Sequence, residues 1–580
     1  MENEKSLSNY ENAKIEADKI DEEIISTLQS GVSFRVEAGA GSGKTYSLEK
    51  VIDWIQANKI NEYKKKKQNV ICITYTNVAV NVISSRLNSS SFIIPSTIHS
   101  FAWNTIKQFQ STIIKLLKEK IDFNIDETDF DKIRLVQYTL GYRYIEGEIL
   151  YLYHDDVIKL FAYFLDNKKF RKIFSDRYPL ILIDEYQDSF KIITDKVIDY
   201  FISKKIGPQF GFFGDSWQTI YQMNNPCGII ENENISVICK SSNFRSAENI
   251  VTLLNKIRPK LPQISAIDDY KGDTFVVTCN DFTGARRTDR NFNGELPQDE
   301  FSKRLNTLKE IVENRFMDEN ESLKTLMITH RVLANQQGYE KVLEVLGERF
   351  RDGDDLIIKF FMNIVEPVCF ALETANMTLL FQTLGVTRYP IASKADKQQW
   401  NIFKEKLKDR NTKSAIEVLK IVKESKLIPM PPEIEKHIKL FYDQPNLTYV
   451  NSTIEEYLNL SYSQFLASIR FLYPDAEFST EHGVKGEEYD NVIFTIGRGW
   501  SNYQFDLYAP MLINGVNTRN LTAFERNRNL FYVCCSRSKK RLFIFVTLEV
   551  QKEFEDFLIK LVGSENYYTY ESFIETYNKK

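Results

Sequence analysis

The chain has 580 residues, 43% of them hydrophobic and 27% charged, which is the composition of an ordinary globular protein long enough for several domains. Its formal net charge of −4 excludes a protein that binds polyanions through its overall charge, so any contact with nucleic acid has to come from a local basic groove. The longest apolar stretch, near 357–372, is interrupted by charged and amide side chains, which favours a buried helix over a membrane span.

Short apolar runs alternate with helical patterns along the chain, in two separate sets. The predicted strands lie at 33–37, 70–75, 180–183 and 210–213 in the first set, and at 274–277, 325–329, 492–495 and 542–546 in the second. Strands joined by crossover helices form parallel sheets that are covered on both faces. Two intervening stretches have few β-branched runs and many helix formers. The predicted fold is therefore α/β, with two parallel-sheet domains that each carry a mainly helical insertion.

These patterns also predict the domain boundaries. The first sheet domain is predicted at 1–103 and 176–252 with its insertion at 104–175, the second at 253–345 and 461–555 with its insertion at 346–460, and a C-terminal tail at 556–580.

The clearest motif is the glycine-rich segment AGAGSGKT, between a predicted strand and a predicted helix. Small residues let backbone N–H groups wrap phosphate oxygens, and the helix N-terminus adds its dipole. Lys44 is predicted to reach the β- and γ-phosphates of a nucleotide, and the Thr45 hydroxyl to hold Mg²⁺. The residues predicted to form this loop are Ala38, which replaces the usual first glycine, Gly39, Ala40, Gly41, Ser42, Gly43, Lys44 and Thr45.

A second motif, LILIDEYQD at 180–188, is an apolar strand that ends in two adjacent carboxylates. Beside a phosphate loop, Asp184 is predicted to hold Mg²⁺ through water. Glu185 is predicted to act as the general base on the attacking water.

The remaining motifs point to one family. In order, they are VICITYTNVAVNVISSRL at 70–87, TIHSF at 97–101, GDSWQTIY at 214–221, SNFRS at 242–246, TEHGVKGEEY at 480–489 and RNLFYVCCSRSK at 528–539. Their sequences and order resemble those of the UvrD/Rep/PcrA-like superfamily 1A DNA helicases, over nearly the whole chain. The resemblance implies two RecA-like domains, called 1A and 2A, with insertions 1B and 2B, and it implies ATP and Mg²⁺ as cofactors.

Further roles at the ATP site are implied by this resemblance. Gln218 would sense the γ-phosphate, while Arg245 and Arg537 would be arginine fingers that stabilise charge on the transferring phosphoryl group. Phe244 occupies the position of the aromatic that stacks on adenine, and Glu488 the position that touches the ribose.

The resemblance also implies a track for single-stranded DNA and movement in the 3′-to-5′ direction. The residues at or near the positions that line the single-stranded DNA in this family are Thr74, Tyr75, Asn77, Thr97, His99, His482 and Lys485. Met223 stands where the family often has an aromatic ring, which predicts weaker stacking on a base.

The residues expected to recognise the base depart furthest from the family's pattern. Residues 21–23 stand about where the family has a glutamine that reads the adenine edge, and Tyr46 replaces an arginine that often covers the other adenine face. Phe244 and Tyr46 offer stacking, but stacking alone accepts any base. The sequence therefore predicts weak discrimination between nucleoside triphosphates.

Two functions agree with these motifs. The first is an ATP-dependent translocase or helicase on single-stranded or partially duplex DNA. The second is a nucleotide-gated regulatory DNA-binding ATPase, part of a nuclease complex without productive unwinding, which the altered base and stacking positions favour. A fused helicase–nuclease is disfavoured, because about 30 residues follow the last motif.

The biological role has two interpretations of equal weight. The compact form resembles the helicase subunits of anti-phage systems such as Gabija, which implies a separate OLD-type nuclease as partner; a DNA-repair helicase is the alternative. The polar N-terminus predicts no secretory signal and no membrane attachment. The seven cysteines are scattered without a C-x-x-C pair, which indicates reduced thiols in a cytoplasmic protein and no zinc or iron–sulfur site.

Overall fold

The computed structural model describes most of the chain. The described residues are 8–74, 77–87, 92–120, 130–138, 143–220, 225–289, 292–327, 334, 337–347, 350, 355–385, 393–472, 478–480, 486–498, 503–516 and 518–578.

The strands are β1 (Ser33–Ala38), β2 (Val70–Thr74), β3 (Ile93–Thr97), β4 (Leu135–Tyr138), β5 (Tyr144–Glu146), β6 (Ile149–Leu152), β7 (Leu180–Asp184), β8 (Gln209–Gly214), β9 (Ile235–Lys240), β10 (Ser242–Asn243), β11 (Ile264–Ser265), β12 (Asp273–Thr278), β13 (Leu323–Met327), β14 (Thr448–Tyr449), β15 (Ser452–Thr453), β16 (Phe478–Thr480), β17 (Tyr489–Ile496), β18 (Ser538–Val546) and β19 (Tyr567–Thr569).

The helices are α1 (Asn9–Gln29), α2 (Lys44–Lys66), α3 (Asn77–Arg86), α4 (Ile98–Ile106), α5 (Gln110–Lys120), α6 (His154–Asp166), α7 (Lys168–Arg177), α8 (Lys191–Val197), α9 (Glu248–Ile257), α10 (Gln298–Phe316), α11 (Glu340–Leu346), α12 (Leu356–Phe360), α13 (Glu366–Glu373), α14 (Met377–Leu384), α15 (Lys394–Leu407), α16 (Ala415–Ser425), α17 (Pro432–Asp443), α18 (Ile454–Leu458), α19 (Tyr462–Leu472), α20 (Phe505–Tyr508), α21 (Met511–Asn514), α22 (Leu521–Cys535), α23 (Lys552–Val562) and α24 (Tyr570–Tyr577).

The chain divides into two compact units. The first comprises Met1–Leu323, Val484–Gly497 and Ser501–Lys580, and the second comprises Lys324–Gly483 and Arg498–Trp500.

The first unit contains a parallel sheet with the strand order β3-β2-β7-β8-β1-β9. The strands β1, β2, β7 and β8 are almost completely buried, because apolar side chains of α1 and α2 cover one face and those of α4, α6, α7 and α8 cover the other. The carboxyl ends of β1, β7 and β8 therefore lie side by side. In open parallel sheets, ligands bind at this edge.

A second set of parallel strands in the same unit has the order β17-β18-β12-β19. The register of β17 against β18 shifts between Tyr489 and Asn491. The two predicted parallel sheets are present, so the predicted α/β class is confirmed.

The segment predicted as the first insertion, 104–175, combines helices with strands. Its helices include α5 and α6, and β4, β6 and β5 form a small three-stranded sheet in that order. The pattern of helix formers did not reveal these strands, because each has only three or four residues. The predicted domain boundaries stay predictions.

The second unit is mainly helical. Its strands include the parallel pair β13 and β16 and the antiparallel pair β14 and β15. The interrupted apolar stretch forms α12 and α13, joined by a π-helical turn at Phe361–Val365. The buried carboxylate of Asp355 accepts hydrogen bonds from the hydroxyls of Tyr449 and Tyr457. Within the described ranges, no helix has the length and apolar character needed to cross a bilayer.

Candidate functional site

The phosphate-loop motif lies between β1 and α2, at the carboxyl edge of the first sheet. Gly41 and Gly43 have φ angles of +75° and +74°, which favour glycine, and Gly43 caps α2. A Cβ atom at Gly41 would lie 2.7 Å from Asn243 Oδ1 and 2.7 Å from the Cβ of Arg245. Glycine is therefore required here by both backbone conformation and space.

The loop offers groups suited to phosphate oxygens. The Ser42 hydroxyl is buried and has no hydrogen-bond partner among the described residues, although buried polar groups are normally paired. The Lys44 side chain and the start of α2 lie directly after it. The donors present fit the triphosphate of a nucleotide.

Lys44 lies against both carboxylates of the second motif. Its Nζ contacts Glu185 Oε1 and lies 3.8 Å from Asp184 Oδ1. Burial alone would lower the pKa of the Lys44 ammonium, but the charges of Glu185 and Asp184 raise it above its usual value. Lys44 therefore stays protonated and can compensate phosphate charge.

Glu185 begins the turn that follows β7. Its φ angle is +48°, an uncommon value for a residue other than glycine, and its Oε2 accepts a hydrogen bond from Gln187. The backbone N–H of Glu185 donates to Asp184 Oδ1 at 3.0 Å. These contacts hold both carboxylates at the sheet edge, beside the phosphate loop.

The residues expected to hold Mg²⁺ are a hydroxyl and a carboxylate. Thr45 lies in the first turn of α2 and Asp184 ends β7. In the described part of the chain, no group of three or more His, Cys, Asp or Glu residues could hold a metal ion by itself. Thr45 and Asp184 fit Mg²⁺, which usually takes one or two protein oxygens together with substrate phosphates and water.

Gln218 and Arg537 come together from the two sheets. Gln218 lies in a short 3₁₀ turn after β8, and Arg537 stands between α22 and β18. The Arg537 guanidinium donates to Gln218 Oε1 at 3.2 Å. Arg537 is 1% exposed, and burial together with the Arg245 guanidinium lowers its pKa to about 10, so it remains charged at neutral pH.

The second predicted arginine finger, Arg245, is part of an ion pair. Its Nε lies 2.7 Å from Glu488 Oε2, and its Nη1 donates to the Ser536 carbonyl at 3.2 Å. Arg245 and Glu488, which were assigned to phosphate and ribose, are thus in direct contact with each other.

Aromatic side chains mark the side of the loop where a base would lie. A Cβ at Gly43 would lie 3.9 Å from the Phe244 ring and 3.9 Å from the Cβ of Tyr46, and these two residues are 36% and 58% exposed. The ring of Tyr10 in α1 lies edge-on to Phe244, with centroids 6.4 Å apart. Tyr10 had not been predicted. Its only sequence signal is an aromatic in an otherwise polar helix start.

The position where a base-reading glutamine was expected has a structural role. Asp21 accepts a hydrogen bond from Ser47 and forms ion pairs with Lys50 at 2.9 Å and Lys240 at 3.1 Å. Burial raises the pKa of Asp21, but Ser47 and Lys240 outweigh this and hold it below its usual value. This carboxylate joins α1 to α2 and β9.

The predicted DNA contacts are only partly described. Thr74 is buried at the end of β2, Thr97 caps α4, and the ring of His99 packs on those of His154 and Phe190. Tyr75, Met223, His482, Lys485 and the side chain of Asn77 lie outside the described residues.

Three buried residues near the loop have roles that the sequence motifs did not predict, although Tyr532 lies within the motif at 528–539. The backbone N–H of Ala40 donates to the Tyr532 hydroxyl at 3.1 Å, and burial raises the pKa of that hydroxyl to about 12. Glu37 precedes the loop in β1, and Arg258 follows α9 and pairs with Glu37. Glu37 could have been noticed as a carboxylate in the strand that leads into the loop, whereas Arg258 carries no local signal.

Comparisons with known proteins agree with these motifs. A family model described as an AAA domain matches residues 21–224. The chain is 23% identical to the Gabija protein GajB of Bacillus cereus (strain HuB5-5), over 93% of this chain and 96% of that protein.

Two further relatives are named as helicases. A probable DNA helicase II homolog of Mycoplasma capricolum is 21% identical, over 90% of this chain and 83% of its own length. The ATP-dependent DNA helicase Rep of Buchnera aphidicola is 28% identical, over 38% of this chain and 40% of that protein. The predicted resemblance to UvrD/Rep-like helicases, including a Gabija protein, is confirmed.

Proposed function

We infer that this chain is a UvrD/Rep-like ATP-dependent DNA helicase that hydrolyses ATP between its two parallel sheets and uses the energy to move along single-stranded DNA. One observation carries this proposal. A lysine at the end of a phosphate loop, with its side chain 14% exposed, faces two carboxylates, and an arginine from the second sheet reaches the glutamine beside them.

Phosphate binding is assigned to the loop and to Lys44. The loop N–H groups, the Ser42 hydroxyl and the Lys44 ammonium would contact the phosphate oxygens. Thr45 and Asp184 would hold Mg²⁺, which supplies further charge compensation for the phosphates. In this arrangement the phosphates compete with Glu185 for the Lys44 ammonium.

Hydrolysis requires a base on the attacking water. Glu185, at the carboxyl end of β7, would take the proton of that water, and Gln218 would orient the γ-phosphate and the water. Arg537 and Arg245 would stabilise charge on the transferring phosphoryl group. Arg245 would exchange its contact with Glu488 for phosphate oxygens, which leaves Glu488 available to the ribose.

The DNA track is proposed along the carboxyl edge of the first sheet. Thr74 ends β2 and Thr97 ends β3, so both lie at the same edge as the phosphate loop. His99 follows at the start of α4. We assign a 3′-to-5′ direction of movement from the family resemblance, which also implies DNA contacts for Tyr75, Asn77, Met223, His482 and Lys485.

The deciding experiment measures ATP hydrolysis and strand separation in the same sample. We expect single-stranded DNA to stimulate hydrolysis and a partially duplex substrate to be unwound. The altered base and stacking positions support a second candidate, a nucleotide-gated regulatory subunit of a nuclease complex. Hydrolysis stimulated by DNA without unwinding, under conditions where a Rep helicase unwinds the same substrate, would favour that candidate.

We further propose a role in anti-phage defence beside a separate OLD-type nuclease. The support is the similarity to a Gabija protein over nearly the whole of both chains. The test is co-purification of this chain with a nuclease encoded beside its gene, and a phage plating assay with both genes. Full protection after deletion of this chain's gene would argue for a repair helicase.

A further inference from the structure

Arg258 connects the helical layer of the second sheet to two carboxylates of the first. It directly follows α9, which packs on β12 and β18. Its Nη1 donates to Asp215 Oδ1 at 2.6 Å and its Nη2 donates to Glu37 Oε1 at 2.6 Å. Glu37 lies in β1 just before the phosphate loop, and Asp215 follows β8.

The surroundings of this guanidinium are buried and polar. Glu37 also accepts hydrogen bonds from the Tyr186 hydroxyl at 2.8 Å and the Ser216 hydroxyl at 2.6 Å. Arg258 itself is 5% exposed and lies over the ring of Trp217, 5.1 Å from its centroid. A guanidinium presents a planar fork that can serve two carboxylates at once, whereas an ammonium is a single point of charge.

Asp215 connects Arg258 to the predicted catalytic side chain of Gln218. Its Oδ2 accepts a hydrogen bond from Gln218 Nε2 at 2.8 Å. This contact sets the orientation of the Gln218 amide, because it directs the oxygen, and not the NH₂ group, toward Arg537. With the amide reversed, two hydrogen-bond donors would face each other. Arg258, Asp215, Gln218 and Arg537 therefore form one continuous set of contacts.

We propose that Arg258 is a positioning residue for ATP hydrolysis, which holds Asp215 so that the Gln218 amide and Arg537 meet in the geometry for phosphoryl transfer. The proposal rests on the proposed hydrolysis of ATP in this cleft. Arg258 acts through Asp215 and is not itself a catalytic residue. Glu37 contributes by holding the other branch of the guanidinium.

The first test is Arg258→Lys, which keeps the positive charge but removes the planar guanidinium that bonds both carboxylates. We expect kcat for DNA-stimulated hydrolysis to fall about 10- to 100-fold, the size of effect that a small misplacement of reacting groups produces. The KM for ATP should stay within about threefold, because the loss concerns the transition state and not ground-state binding.

A double-mutant cycle separates positioning from general destabilisation. If Arg258 acts through Gln218, then Arg258→Lys should cost little further kcat in a Gln218→Ala background. The matched control is Arg304→Lys, which changes another buried arginine, paired with Asp281 at 2.8 Å and Glu300 at 2.7 Å. We expect this control to keep kcat within about twofold in either background, since independent sites are additive.

Several results would overturn the proposal. One is a wild-type kcat in Arg258→Lys. Another is a decrease in kcat on Arg258→Lys that is as large in the Gln218→Ala background as in the wild type. The third is an equal decrease in kcat in Arg304→Lys, at the same decrease in Tm. If Arg258→Lys does not fold, Glu37→Gln takes its place in the cycle with the same expectation. A wild-type chain that hydrolyses no ATP would instead refute the proposed function.

Discussion

At the scale of single residues, the proposed hydrolytic centre consists of one ammonium group held against two carboxylates. Lys44→Ala should abolish turnover because the phosphate charge loses its compensation. Glu185→Gln should keep nucleotide binding and lower kcat by about 10²- to 10⁴-fold, the contribution of a positioned general base. The measurements are steady-state ATPase rates and nucleotide affinity by calorimetry.

The control for this pair of variants is Glu248→Gln, at an exposed position at the start of α9. We expect it to behave like the wild type. Normal turnover in Glu185→Gln would remove Glu185 as the base.

Arg537 is a buried charge that follows the last helix before β18 and contacts Gln218, which follows β8 of the first sheet. Arg537→Ala should lower kcat by roughly 10²-fold or more, in line with arginine fingers elsewhere, while ATP affinity falls far less. The control is Arg541→Ala, since Arg541 pairs with Glu321 at 2.7 Å within the layer of the second sheet. That variant should lower Tm and leave kcat nearly unchanged. Equal losses of binding and rate in Arg537→Ala would indicate an ordinary ground-state contact.

At the scale of elements, the side of the phosphate loop where a base would lie is formed by three segments: the start of α1, the start of α2 and the residue after β10. They contribute Tyr10, Tyr46 and Phe244, whose rings can stack on any base. Asp21, further along α1, is engaged by Ser47 and two lysines. The elements therefore offer stacking surfaces, while the buried carboxylate of Asp21 is engaged in joining α1 to α2 and β9.

This arrangement predicts weak selection among nucleoside triphosphates. We expect kcat/KM for GTP within about tenfold of that for ATP, a difference of about 1.4 kcal/mol, measured with saturating single-stranded DNA. Phe244→Ala should raise KM for both nucleotides to a similar extent. A preference for ATP above about a hundredfold would mean that a group in this region reads the base edge.

At the scale of the whole molecule, we propose that the cleft between the two sheets of the first unit couples ATP hydrolysis to movement along DNA. We expect unwinding of a duplex with a 3′ single-stranded overhang and none of the matched duplex with a 5′ overhang. Glu185→Gln serves as the control, since it should bind both substrates and separate neither. Preferential unwinding from the 5′ overhang would reverse the assigned direction.

The sequence was enough to predict the α/β class, the two parallel sheets and the proximity of the residues in the two main motifs. The reason is local: AGAGSGKT and LILIDEYQD each combine a buried strand with the residues that follow it, and parallel strands bring their carboxyl ends to one edge. Lys44, Asp184 and Glu185 therefore had to lie close together once the strands had formed. The small sheet of β4, β5 and β6 was missed because strands of three or four residues leave too short a pattern.

The contacts between the two sheets were decided only by the tertiary structure. Gln218 and Arg537 are 319 residues apart in the chain, and Glu37 and Arg258 are 221 apart. No periodicity relates such positions, because the packing of one layer on another determines which side chains meet. Glu37 appears in the sequence as a carboxylate two residues after Arg35 in a short strand, and Arg258 as an arginine at a helix end. Burial makes an unpartnered charge costly, and the packing of the two layers supplies partners for both: Arg258 lies between Glu37 and Asp215.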